Sequence, residues 1–162
     1  MQSVYRVLII GFGLFIATAD ANAAKDGPGP TYRRNRGRIV FQEAAFTAFG
    51  TEKELTKLVN KARLNKTLRK AKSGNWELHF LAFMRKAPGA AKVNLVWYKL
   101  GKKREQVDFT EFTMPPTSVT LRAKARLMPA QGFKAGDRLE GRITRLVGGK
   151  EKVFAKCRLT LK

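Results

Sequence analysis

The sequence predicts a mainly β protein, an antiparallel β-sandwich, on three observations. Apolar residues recur at every second position in several stretches beyond residue 76, the period of an extended strand with one buried face. Gly101, Pro115-Pro116 and Gly148-Gly149 interrupt those stretches at short intervals, as turns do in sandwiches and barrels. Only residues 52 to 64 carry a helical pattern.

Residues 1 to 23 read as a cleavable signal peptide. Arg6 precedes an apolar run from Val7 to Ala17, and that run falls short of the about 20 residues needed to span a bilayer. Ala21-Asn22-Ala23 supplies an A-x-A cleavage site, so the exported chain is expected to start at Ala24 and to be periplasmic or secreted. Residues 24 to 38, AKDGPGPTYRRNRGR, combine Pro and Gly with Arg33, Arg34, Arg36 and Arg38. Their apolar content is low, which predicts a flexible basic arm. Residues 39 to 162 are then one sandwich domain.

A first strand is expected around Ile39 to Phe46. Thr51 and Glu54 match a capping box, and Leu55, Leu58, Val59 and Ala62 recur on one helical face. A short strand should follow and pair with the next through the Ser73-Gly74-Asn75 turn. In WELHFLAFMRK, Trp76, Leu78, Phe80, Ala82 and Met84 share one face, with Leu81 and Phe83 on the other. Apolar residues on both faces predict a strand covered on both sides. KVNLVWYKL and REQVDFTEF are further strands, the second ended by Pro115. Leu121, Ala123, Ala125 and Leu127 point inward, with Arg122, Lys124 and Arg126 outward. Gly148-Gly149 joins the last two strands in a two-residue hairpin. Within the final strand Val153, Ala155, Cys157, Leu159 and Leu161 share a face opposite Phe154, Lys156 and Arg158.

In strand rhythm and size the mature chain resembles immunoglobulin-like and fibronectin-type sandwiches. The Cys…Trp…Cys signature of immunoglobulin domains is absent, because Cys157 is the only cysteine. A small closed barrel of the oligonucleotide-binding type is the alternative architecture.

The residue inventory argues against an enzyme. His79 is the only histidine and sits inside a strand, with neither Ser73 nor Ser118 placed by spacing to act with it. One His and one Cys make no conventional zinc or transition-metal site. Asp108 and Glu111, like Asp137 and Glu140, fall on opposite strand faces and are poor acid–base pairs. No cofactor motif occurs; Gly148-Gly149-Lys150 reads as a turn. Asn65-Lys66-Thr67 matches a glycosylation acceptor, a frequent chance match.

The net charge of +21 is the strongest functional signal. Signal cleavage leaves it unchanged, since Arg6 and Asp20 leave together. If the strands 118–127, 138–147 and 152–161 share a sheet, Arg122, Lys124, Arg126, Arg138, Arg142, Lys156 and Arg158 form one basic face. Further cations run along the helix and the segment after it, from Lys53 to Lys72, Arg63 and Lys66 included. The expected partner is an anionic polymer or envelope surface, such as acidic polysaccharide, lipopolysaccharide, DNA or an acidic protein. Nucleic acid is not favoured, because Trp76, Phe80, Trp97 and Phe109 alternate like core residues and leave no stacking platform. The alternative is a structural subunit of an envelope assembly joined by sheet-edge pairing.

Overall fold

A computed structural model describes residues 29 to 162; the expected signal peptide and the start of the arm lie outside the described residues. Two helices, α1 (Pro30–Asn35) and α2 (Glu52–Ala62), accompany eight strands. The strands are β1 (Arg38–Gln42), β2 (Thr67–Leu68), β3 (Trp76–Phe83), β4 (Lys92–Leu100), β5 (Arg104–Thr113), β6 (Thr120–Leu127), β7 (Arg138–Val147) and β8 (Lys150–Leu161).

The expected β class holds, but the strands form one sheet where two antiparallel layers were expected. Its order is β5-β4-β7-β8-β1-β3-β6, with β2 also paired to β8. The β1–β8 and β2–β8 pairings are parallel and the others antiparallel. The sheet curls: Phe112 of β5, the first strand in that order, and Phe80 of β3, the last but one, meet edge to face with centroids 5.5 Å apart. Twist accumulating over many strands favours such curling. One sheet thereby encloses a core that a sandwich builds from two, and these pairings do not establish the immunoglobulin-like resemblance.

The main core lies inside the curl, where Trp76, Leu78, Phe80, Ala82 and Met84 from β3 and its end meet Leu95 and Trp97 of β4 and Leu139 and Ile143 of β7. On the outer face of β1 and β3, Val40, Leu81 and Phe83 pack against Tyr32, Val59 and Ala62. The double coverage expected of β3 is therefore present, and the cover is α1 and α2. α2 begins with the expected capping box, Thr51 Oγ1 accepting from Glu54 N and the Glu54 carboxylate from Thr51 N. It ends at Ala62 rather than residue 64, and Leu64 is 79% exposed, off the buried stripe. The short strand after it is only β2, but the expected turn does bring Lys70 opposite Trp76.

Residues 30 to 38, expected to be part of a flexible arm, are packed. Tyr32 supplies the apolar anchor and its hydroxyl donates to Met84 O, while Thr31 N donates to Glu52 Oε1 at 2.6 Å. A single buried aromatic outweighs the low average apolarity of the segment. A second difference lies in β8. Ile143 pairs with Ala155 and Thr144 with Val153, so Phe154 is the extra residue of a β-bulge. The bulge turns Phe154, expected outward, into the main core beside Ala155. The Gly148-Gly149 hairpin forms as expected, with φ of +57° and +74° suiting a type I′ turn.

Gly141 in β7 lies under the Trp97 ring, where an added Cβ would sit 2.6 Å from ring carbon and 3.1 Å from Cys157 Sγ. Trp97 is fully buried and cannot retreat. Gly141→Ala is therefore expected to destabilise the fold by about 1–3 kcal/mol, read as a lower melting temperature by circular dichroism.

Candidate anion-binding cleft

β8 is twelve residues long and β1 only five. The two strands pair at Arg38↔Lys156 alone, and β2 takes over at Thr67↔Thr160 and Leu68↔Leu161. Between these contacts the sheet splits. Asn65, just past α2, bridges part of the opening by donating from Nδ2 to Phe41 O at 2.7 Å. What remains is a half-open cleft of about 630 Å³ with Ile39, Phe41 and Cys157 in its lining. Burial pushes the Cys157 thiol up to about 12, which keeps it a protonated packing group.

Cations surround this opening from four directions. Arg36 and Arg38 come from the start of β1, Arg63 and Lys66 from the end of α2, Arg85 from the residue pair after β3, and Lys156 and Arg158 from β8. All seven side chains are exposed, and no carboxylate belongs to the described lining. Two are positioned by the backbone around them. Arg36 Nε donates to Arg85 O at 2.7 Å. The Arg85 side chain lies over Gly37, whose φ of +81° and missing Cβ permit that approach.

Arg158 is oriented from behind. Its Nε donates to Glu140 Oε2 at 3.0 Å, and Arg142 Nε donates to Glu140 Oε1 at 2.8 Å. Glu140 is only 1% exposed. Burial acts to raise its carboxyl, but the guanidiniums of Arg142 and Arg158 outweigh burial and hold it below the usual carboxylate range. Arg142 is 14% exposed and also reaches Glu151 at 3.3 Å, with its guanidinium 4.8 Å from the Tyr98 ring centre.

The structure divides the basic face expected from the sequence. β6 lies beyond β1 and β3 from β8, so Arg122, Lys124 and Arg126 are remote from the β7 and β8 cations. Lys124 and Arg126 both pair with Glu77, and Arg122 donates to Phe46 O. Arg142 is committed to Glu140 and Glu151. Arg138 is exposed opposite Thr160, away from the cleft lining. Lys156 and Arg158 do line it, joined by Arg36 and Arg38 of the expected arm, while Arg33 and Arg34 stay exposed on α1. The sequence reading counted Arg63 and Lys66 only as part of a basic segment, and it missed Arg85 and the Glu140 hub. Glu140 stands between Arg138 and Arg142 at strand spacing, a signal that was present.

His79 sits on the outer face of β3, in register with Gln42 and Lys124. Desolvation, and then the Lys124 charge, lower its pKa. Among the described residues, no three His, Cys, Asp or Glu side chains gather as a metal site, and no helix is long and apolar enough to cross a membrane. No protein-family model matches the chain, and no curated protein matches it in sequence.

Glu140 gives a pH prediction. Its folded pKa is depressed below 4.5, so its stabilisation is fully present above that value and is lost as pH falls through the folded pKa. Glu140→Gln should cost about 1–3 kcal/mol at neutral pH. The gap between wild type and variant should then narrow on acidification below pH 4.5, as measured by denaturant melts across pH.

Proposed function

We propose that this chain is an exported, non-enzymatic binding module that holds an anionic polymer or envelope component in the β1–β8 cleft. The observation that carries this reading is the gathering of seven cationic side chains around one opening, with no carboxylate in its described lining. Like charges so placed repel one another, and an anionic ligand removes that repulsion. Five of the seven are arginines, whose planar forks suit phosphate, sulfate and carboxylate groups. Acidic polysaccharide, lipopolysaccharide phosphates and acidic protein segments offer such groups. DNA is less favoured: Trp76, Phe80 and Trp97 are buried, and Phe109, which the sequence reading took for a core residue, is exposed on β5 and not in the cleft. Export follows from the Ala21-Asn22-Ala23 reading of the N-terminus.

The edges of the sheet support a second reading, a structural subunit joined by strand addition. β5 is an edge strand of ten residues with no proline and with Phe109 turned outward. Salt separates the readings, since main-chain pairing is far less sensitive to it than the cleft is.

Arg38 and Lys156 lie opposite each other at the head of the cleft. Reversing both to Glu is expected to weaken binding of polyphosphate or dextran sulfate about a hundredfold, at about 1.5 kcal/mol per charged hydrogen bond. The control, Lys102→Glu with Lys103→Glu, makes the same change of net charge in the exposed β4–β5 turn. Titration calorimetry should find its affinity within about threefold of wild type if binding is local, since distant surface charges are screened. Equal losses in both variants would leave net charge, and not the cleft, as the cause.

A further inference from the structure

The β7–β8 hairpin continues past its neighbours. β4 pairs with β7 only as far as Asn94↔Thr144, and β1 meets β8 only at Lys156. The rungs Arg145↔Lys152, Leu146↔Glu151 and Val147↔Lys150 therefore have no strand on either side and form a projecting two-stranded finger. Its base is braced: Arg145 Nη1 donates to Pro88 O, and Arg85 N donates to Phe154 O at 2.9 Å.

The finger ends in apolar side chains with nothing over them. Leu146 is 67% exposed and Val147 39% exposed, on either side of the strand that enters the Gly148-Gly149 turn. Lys150 stands level with Val147 on the outermost rung, Arg145 and Lys152 form the rung behind Leu146, and Lys86 comes close enough to Lys152 to lower its pKa by direct contact and by charge, Arg145 adding to the effect. The carboxylate of the finger, Glu151, is already engaged by the Tyr98 hydroxyl at 2.8 Å and by Arg142 at 3.3 Å. The apex thus presents aliphatic groups flanked by cations.

We propose that this finger is a membrane-contacting tip that inserts Leu146 and Val147 into the interface of an anionic lipid bilayer, with Arg145, Lys152 and Lys86 at the level of the lipid phosphates and the long Lys150 side chain snorkelling back to them. Two features select this occupant. A convex apolar tip enters a soft interface directly, whereas a protein partner must offer a matching pocket. Exposed aliphatic groups flanked by cations, Lys150 beside Val147 and Arg145 with Lys152 one rung behind Leu146, are also the makeup of interfacial anchors on anionic lipid. A second copy of the chain is disfavoured by the +21 charge each copy carries. The tip shares no residue with the cleft and does not rest on the cleft's proposed role.

Fluorescence of the full chain carrying Leu146→Trp tests this, because Trp76 and Trp97 are buried and contribute a constant background. Vesicles containing phosphatidylglycerol should shift the new indole's emission to the blue and shield it from iodide. Pure phosphatidylcholine vesicles should do neither. Lys150→Glu with Lys152→Glu in the same background should raise the lipid concentration needed by roughly a hundredfold or more, given a several-fold effect per juxtamembrane charge. The readout is local, so adsorption through another part of the chain leaves it unchanged. An indole that stays in water on anionic vesicles overturns the proposal, and equal insertion into neutral vesicles overturns the anionic partner. The shift should persist, at saturating lipid, with Arg38→Glu and Lys156→Glu.

Discussion

The arrangement of this molecule depends on a mismatch of lengths. β8 extends over twelve residues, and β7 pairs along almost all of it, but the other side is offered five residues of β1 and two of β2. A parallel partner requires a crossover, and here α2 and its exit, from Glu52 to Lys66, make one between β1 and β2. The crossover returns too far along β8 to close the gap. The break in the sheet, the seating of α2 over β1, and the placing of Arg63 and Lys66 opposite Lys156 and Arg158 all follow from it. The projecting finger is the same mismatch at the other end of β8.

Charge is then distributed around this frame in two ways. Where carboxylates are available they are shared: Glu140 serves Arg142 and Arg158, and Glu77 serves Lys124 and Arg126. These sites differ in weight. Glu77 and its partners are open to water and contribute little. Glu140 is enclosed, so removing it strands the largely covered Arg142. Lys92 and Lys99 have carboxylates of their own, Glu111 and Asp137, and the cleft is where the split sheet gathers cations with no carboxylate in the described lining.

Local features were readable from the sequence, and non-local ones were not. The capping box at Thr51 and Glu54, the two-faced pattern of β3 and the Gly148-Gly149 turn each depend on residues a few positions apart, and each appears as read. Strand order depends on contacts between distant segments: β6, β7 and β8 do share one sheet, but β1 and β3 stand between β8 and β6, so the fold does not contain the single basic face. Phe154 was misplaced because a bulge resets strand parity without altering composition. The arm was misread because average apolarity hides one anchoring tyrosine. The cleft combines four segments of the chain, and only Arg36, Arg38, Lys156 and Arg158 of its cations had been singled out, in two separate groups.

The cleft and the finger are linked through Arg85 and Lys86, adjacent residues on one short turn. Arg85 faces the cleft over Gly37, while Lys86 sits beside Lys152 at the finger. The turn is fastened to β8 by Arg85 N on Phe154 O, at the bulge residue itself. An anion in the cleft and a phosphate layer at the tip would therefore relieve repulsion among cations joined by this one turn. Ligands that neutralise neighbouring charges lower each other's electrostatic benefit when both carry negative charge, so occupancy of one site weakens the electrostatic share of the other. The apolar share at Leu146 and Val147 is untouched by that competition. It is the contribution that can keep the tip engaged once the cleft is filled.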